Sequence, residues 1–108
     1  VAYVGHNGLM DFSLTDKFNN TDGKKRNTII LACFSKSYFS KHLAQANIIP
    51  LVWSTHLMSP EAYTLHDAIE AYLAKSNNDT IRLRASEAYN KYQKCGLKAA
   101  KNLLVTGW

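Results

Sequence analysis

Three short apolar runs punctuate the first half of the chain: residues 1–5 (Val-Ala-Tyr-Val-Gly), residues 28–33 (Thr-Ile-Ile-Leu-Ala-Cys) and residues 48–53 (Ile-Ile-Pro-Leu-Val-Trp). Polar and apolar positions barely alternate within them, which predicts strands buried on both faces, the habit of a parallel sheet. Pro50 removes one backbone donor and puts the third strand at an edge or over a bulge. Residues 6–27 form a long connection between the first two strands, and Leu14 and Phe18 lie in a segment that fits one short helix near 13–19.

The later pattern is helical. Phe39, Leu43 and Ala46 recur at helical spacing over 36–46, with His42 among polar neighbours on the surface. Ser59-Pro60-Glu61 reads as a helix start, with Ser as cap, Pro at the first position and an acid in the first turn. That helix is expected to run to about Lys75, with Ala62, Leu65, Ile69, Tyr72 and Leu73 inward. Residues 76–79 break it and cap a last, long helix from about Thr80 to Leu104. Its apolar stripe includes Ile81, Ala85, Ala88, Tyr89, Tyr92, Cys95, Ala99 and Leu103, with Gly96 as a weak point or kink.

Composition narrows the class. At 108 residues, with 46% hydrophobic and 19% charged residues, the chain is one globular domain and not a disordered segment. No apolar run reaches about 18 residues, so a membrane partner is not expected. Two cysteines make no disulfide framework, which favours reduced thiols and a cytoplasmic setting. The opening on Val1, inside an apparent strand, suggests a fragment, with residues 1–108 the C-terminal part of a larger domain.

Charge is unevenly placed. Residues 1–74 carry six basic and six acidic groups, while residues 75–108 carry seven basic and two acidic. Lys91, Lys94, Lys98 and Lys101 repeat at threes and fours and form a basic stripe on the last helix. No aromatic residue interleaves them, so nucleic acid is disfavoured and a solubilising role preferred. The same judgement covers Lys24-Lys25-Arg26 on its loop tip.

The chemistry gathers at strand ends. The first strand ends at His6 and the second at Cys33; if the two are adjacent and parallel, imidazole and thiol emerge at the same rim of the sheet. Neighbouring strands lie about 4.8 Å apart, and the carboxyl ends of such strands are where open α/β sheets bind ligands. A thiol becomes a nucleophile when a base or positive charge favours its thiolate. Gly8 lets a backbone amide approach a developing oxyanion. Trp53 and His56 end the third strand at the same rim, where Trp53 is a candidate pocket wall. Metal, dinucleotide and serine-hydrolase signatures are missing: His56 and His66 have no ligand spacing, and His66-Asp67 lacks a third ligand. No cofactor is therefore expected.

Gly5-His6-Asn7-Gly8 and Ala32-Cys33-Phe34-Ser35, each after an apolar strand and in the order His then Cys, resemble the caspase-like cysteine peptidase superfamily of caspases, metacaspases, legumains and gingipains. In that superfamily one strand leads to His-Gly and the next to Ala-Cys, often with Ser two residues further on. Here Asn7 stands between His6 and Gly8, and Cys33 lies 27 positions after His6. The resemblance implies a cysteine endopeptidase in which Cys33 attacks a peptide carbonyl and His6 protonates the leaving amine. The amides of Gly8 and Cys33 would hold the oxyanion; substrate specificity is not readable, and the loop acids Asp11 and Asp16 are candidates to receive a basic substrate side chain. The implied partners are a peptide or protein substrate and the upstream part of the same domain, or a second chain supplying it.

The expectation is an α/β fold with a small parallel sheet of three strands flanked by helices, part of a larger caspase-like domain. The alternative is a non-catalytic α/β interaction module whose Cys33 is core and whose basic C-terminal helix docks a partner.

Overall fold

The computed structural model describes all of residues 1–108, in one four-stranded sheet of order β1-β2-β3-β4. Strands β1 (Ala2–Val4), β2 (Arg26–Leu31) and β3 (Ile48–Ser54) are the expected three, and they are adjacent and parallel. A fourth strand, β4 (Leu104–Val105), corrects the three-stranded expectation. It pairs antiparallel with β3, with Ser54 opposite Leu104 and Trp53 opposite Val105. The last helix was expected to end at about Leu104, and two residues carry too short a pattern to reveal a strand.

Helices cover both faces, which explains the unbroken apolar runs. On one face α1 (Ser35–Gln45) packs against Ile30, Ala32 and Trp53 through Leu43 and Phe39. On the other, α2 (Ala62–Leu73), α3 (Asn78–Gln93) and α4 (Leu97–Leu103) bury Ile29, Leu31, Leu51 and Val52 under Ala68, Ala71, Ile81, Ala85, Tyr89 and Ala100. Ile29 and Leu31 thus face one core while Ile30 and Ala32 face the other, as a two-residue period requires.

Pro50 marks a bulge and not an edge, because β3 lies between β2 and β4. Thr28 pairs with Pro50 but Ile29 pairs with Val52, leaving Leu51 as the extra residue. The bulge turns two consecutive side chains, Leu51 and Val52, into the larger core.

Three helical expectations change. The segment 13–19 is irregular, and the only helical turn of this connection is a 3₁₀ turn at Gly8–Met10. α2 starts at Ala62, three residues after Ser59, whose amide instead donates to the Tyr89 hydroxyl at 3.2 Å. Its buried face is Thr64, Ala68 and Ala71, while Ala62, Tyr72 and Leu73 are exposed. The long last helix divides in two. Lys94 takes a left-handed conformation (φ 53°) and Gly96 follows at φ 90°, so α3 stops and α4 sets off in a new direction. Lys91 stays on α3 and Lys98 and Lys101 move to α4, which breaks up the basic stripe. No helix is long and apolar enough to cross a membrane.

A buried serine pair ties the Cys33 turn to β3. Ser35 and Ser54 are both fully buried, with their hydroxyls 3.2 Å apart. The Ser35 amide donates to Ser54 Oγ at 3.1 Å, the Ser54 amide to Ser35 Oγ at 2.8 Å, and the two hydroxyls reach the carbonyls of Ile30 and Ala32. Ser54→Ala leaves the Ser35 amide and the Ala32 carbonyl without that partner. Urea denaturation should register a loss of about 1–3 kcal/mol, the usual cost of orphaning buried polar groups.

The loop before β2 is held by its own polar side chains. Asn20 Nδ2 donates to the carbonyls of Lys24 (2.6 Å) and Ala46 (3.2 Å), pinning the loop to the end of α1. Arg26 grips Asp22 through two hydrogen bonds of 3.0 and 2.6 Å, so this basic residue is already paired. That side-chain hydrogen bond, helped by the Lys24 amide, pulls the Asp22 carboxyl from its ordinary 3.8 down to about 2. A depressed carboxylate stabilises the fold above its unfolded value, and the contribution fades as pH falls from about 4 towards 2. Arg26→Gln should return the Asp22 titration towards 3.8 when followed by NMR.

Candidate active site

The β1–β2 ladder runs at a constant offset: Ala2 faces Ile29, Tyr3 faces Ile30 and Val4 faces Leu31. Gly5 extends it, its amide donating to the Leu31 carbonyl at 3.1 Å. Past that point the ladder gives way to side-chain bonding, and Asn7 makes the link. Asn7 is fully buried; its Nδ2 donates to the Cys33 carbonyl at 2.6 Å, and its Oδ1 accepts from the Leu9 amide at 3.1 Å. The residue after His6 is therefore bonded directly to Cys33. Both turns sit at the carboxyl ends of adjacent parallel strands.

Asn7 interrupts the His-Gly pair that the resemblance leads one to expect, and it is the residue the sequence reading missed. Its signal was an Asn directly before a Gly-containing turn. Such a side chain caps the backbone two residues on, as Asn7 does with Leu9. Gly8 opens the 3₁₀ turn, a position whose amide has no acceptor within the turn. Its carbonyl takes the amides of Asp11 (2.9 Å) and Phe12 (3.1 Å). The Phe12 ring lies so close over it that a Cβ would come within 2.9 Å of that ring. Phe12 is exposed, so its ring can give way to a larger residue at this position.

His6 stands in solvent with Asp11, Nε2 to Oδ2 at 2.5 Å, with side chains 69% and 66% exposed. Asp11 is thus engaged with the imidazole and is not a free receptor for a basic substrate side chain. With Nε2 donating to the carboxylate, the neutral ring carries its lone pair on Nδ1, where it can accept a proton. The Tyr3 hydroxyl donates to the His6 carbonyl at 2.6 Å and steadies the turn.

Cys33 sits between Ala32 and Phe34 in the short turn from β2 into α1, half-buried. Phe34 has φ 51° and ψ 31°, a left-handed conformation that costs a residue with a Cβ about 1–2 kcal/mol. Such strain persists only when surrounding contacts hold it. Here the Phe34 amide donates to the His56 carbonyl at 2.9 Å, and Ser35 is locked by Ser54. The Met58 amide and carbonyl each lie 3.5 Å from Cys33 Sγ. The Met58 amide donates to the sulfur and the thiol donates to the Met58 carbonyl, so this backbone holds the side chain in place.

Trp53 is fully buried in the core beneath α1, edge-to-face with Trp108 at 5.4 Å between ring centroids. It exposes no surface and offers no wall to a pocket, which corrects its candidacy. Cys95 is exposed in the link between α3 and α4. His42 is half-buried on α1, 6.2 Å from the Phe18 ring. On α2, Glu70 supplies the third group that His66 and Asp67 lacked, one helical turn on from His66. The three ligand atoms lie within 4.8 Å of one another. Arg84 already places a cation there, 2.9 Å from Glu70 and 3.9 Å from Asp67. The hydrogen bond to Asp67 raises the His66 pKa above its ordinary 6.5. The stabilisation it brings is complete below about 6.5 and is lost as pH rises through the raised value.

Comparison of the chain with protein-family models, with curated proteins and with solved structures returned no match.

Proposed function

We propose that the chain is a cysteine-peptidase domain of caspase-like type, with Cys33 as nucleophile and His6 as its acid–base partner. The observation that carries this reading is the Asn7 clamp. A buried side chain joins the His6 turn to the Cys33 backbone at the carboxyl ends of two adjacent parallel strands. The strained Phe34 turn beside Cys33 and the Asp11 carboxylate on the imidazole add support.

In this mechanism the Cys33 thiol gives its proton to His6 Nδ1, and Asp11 stabilises the imidazolium through Nε2. The thiolate attacks the peptide carbonyl carbon, and the negative oxygen of the tetrahedral intermediate takes the Gly8 amide as a donor. His6 then protonates the departing amine as the C–N bond breaks, leaving an acyl-enzyme. A water molecule, deprotonated by His6, hydrolyses it and restores the thiol. The outer edge of β1 pairs with no strand of this chain. The rest of a larger domain, or a partner chain, would add there.

The competing module reading has a basic C-terminal helix dock a partner, and the break at Lys94-Cys95-Gly96 divides its lysines between α3 and α4. It has less to support it. The test is labelling with a peptidyl acyloxymethyl ketone followed by peptide mapping. Cys33 should be alkylated, and His6→Ala should slow the labelling strongly. Label on Cys95 alone, or none, would overturn the peptidase reading.

A further inference from the structure

The segment after β3 links Cys33 to a second feature. Thr55 is tied to the end of α4: its amide donates to the Leu103 carbonyl at 2.9 Å and its hydroxyl to the Asn102 carbonyl at 3.0 Å. At the far end, the Ser59 amide donates to the Tyr89 hydroxyl at 3.2 Å. Between these anchors the strap passes over the thiol, with His56 accepting from the Phe34 amide and Met58 against Cys33 Sγ. One side of the strap therefore touches the nucleophile. His56 and Leu57 of the same strap line a surface cleft of about 430 Å³ together with Tyr89, Cys95, Ala99, Asn102 and Leu103. That volume lies within the range of about 300–1,000 Å³ common for ligand sites.

Resting on the peptidase reading, we infer that this cleft is the subsite for an uncharged, apolar side chain flanking the scissile bond. Its lining is mainly apolar and contains no carboxylate, so a lysine or arginine side chain would enter without a counter-charge. Asp or Glu would meet no fixed cation in the lining, and would desolvate against Leu57, Ala99 and Leu103. A more enclosed apolar hollow of about 230 Å³, lined by Val1, Ala2, Ile69 and Leu73, lies at the amino ends of β1 and β2. That is the opposite end of the sheet from Cys33. The strap cleft shares anchoring residues with the segment that covers the sulfur, and this continuity assigns it to the same substrate.

The experiment has two arms. In the first, fluorogenic peptides carrying Leu, Gly, Lys or Asp at either of the two positions before the scissile bond are compared. At one of these positions the Leu peptide should exceed the Lys and Asp peptides in kcat/KM by about 10- to 100-fold. Ala99→Trp, which fills the cleft from an exposed position, should collapse the ratio of Leu to Gly peptide. A ratio unchanged by Ala99→Trp overturns the subsite and leaves the peptidase intact.

In the second arm, Cys95 in a Cys33→Ala background is alkylated by a maleimide with each peptide present. The Leu peptide should slow alkylation several-fold more than the Lys or Asp peptide. If no peptide is cleaved, the peptidase reading fails and this arm decides the cleft: selective protection by Leu upholds an apolar side-chain site, and equal alkylation rates overturn it.

Discussion

Cys33→Ala is expected to lower peptide cleavage by about a million-fold, the scale on which a peptidase loses its nucleophile, while leaving the fold in place. The side chain is half-buried, and the hydrogen bonds of its sulfur are two long ones, both to the Met58 backbone at 3.5 Å. Removing it should therefore cost about 1 kcal/mol in urea denaturation. Cys95→Ala provides the internal control. That thiol lies on an exposed link and hydrogen-bonds the neighbouring Gly96 carbonyl at 3.7 Å; it lines the cleft without taking part in bond making, so its removal should spare the chemical step. His6→Ala should follow Cys33→Ala in activity, because the leaving amine then has no positioned acid. Equal cleavage by the Cys33→Ala and Cys95→Ala proteins would end the enzyme reading. A marked stability loss in Cys33→Ala with no activity to lose would make that residue a core cysteine.

Asn7→Ala is expected to destabilise the protein by about 2–4 kcal/mol, because it removes two hydrogen bonds from a fully buried site and leaves a carbonyl without its donor. Asn7→Asp is the more telling replacement, since it preserves shape and reverses one polarity. At neutral pH a carboxylate oxygen would face the Cys33 carbonyl where an amide N–H now donates at 2.6 Å. Burial and that repulsion both raise the new carboxyl's pKa in the folded state. A raised folded pKa makes the variant most stable below the unfolded Asp value of about 4, with stability falling as pH rises through the folded value. Urea denaturation of Asn7→Asp and wild type at pH 4 and pH 7 should show the gap widening at pH 7. An Asp variant as stable as wild type at pH 7 would mean that Asn7 does not hold the two turns together.

The three parallel strands were legible because strands buried on both faces must be continuously apolar, and residues 1–5, 28–33 and 48–53 satisfy that condition. Pro50 announced an irregularity for a local reason, the missing N–H, and the bulge at Leu51 lies beside it. The start of α3 was legible as the polar run 76–79, expected to lead into a helix at about Thr80; the helix begins at Asn78, with Asn77 as the cap that accepts from the Thr80 amide at 2.8 Å. His6 and Cys33 could be singled out because each ends such a run with a reactive group.

Other features depend on partners distant in sequence. The antiparallel β4 exists because Leu104 and Val105 find Ser54 and Trp53, about fifty residues away, and its two residues carry no periodicity of their own. The division of α3 from α4 turned on backbone torsions at Lys94 and Gly96 that an apolar stripe does not report. Tyr72 and Leu73 were expected inward, but Thr64, Ala68 and Ala71 take the core, since close helix packing selects small residues that hydropathy ranks low. Trp53 went to the core beneath α1 because alternation along β3, reset by the bulge, points it there. The sequence by itself determined the three parallel strands, the helical segments that follow β2 and β3, and the placing of His6 and Cys33 at strand ends, all of which follow from local pattern. Only the tertiary structure decided that Asn7 bonds to Cys33, that Asp11 holds His6 and that Met58 covers the sulfur, because each joins segments whose approach no local pattern encodes.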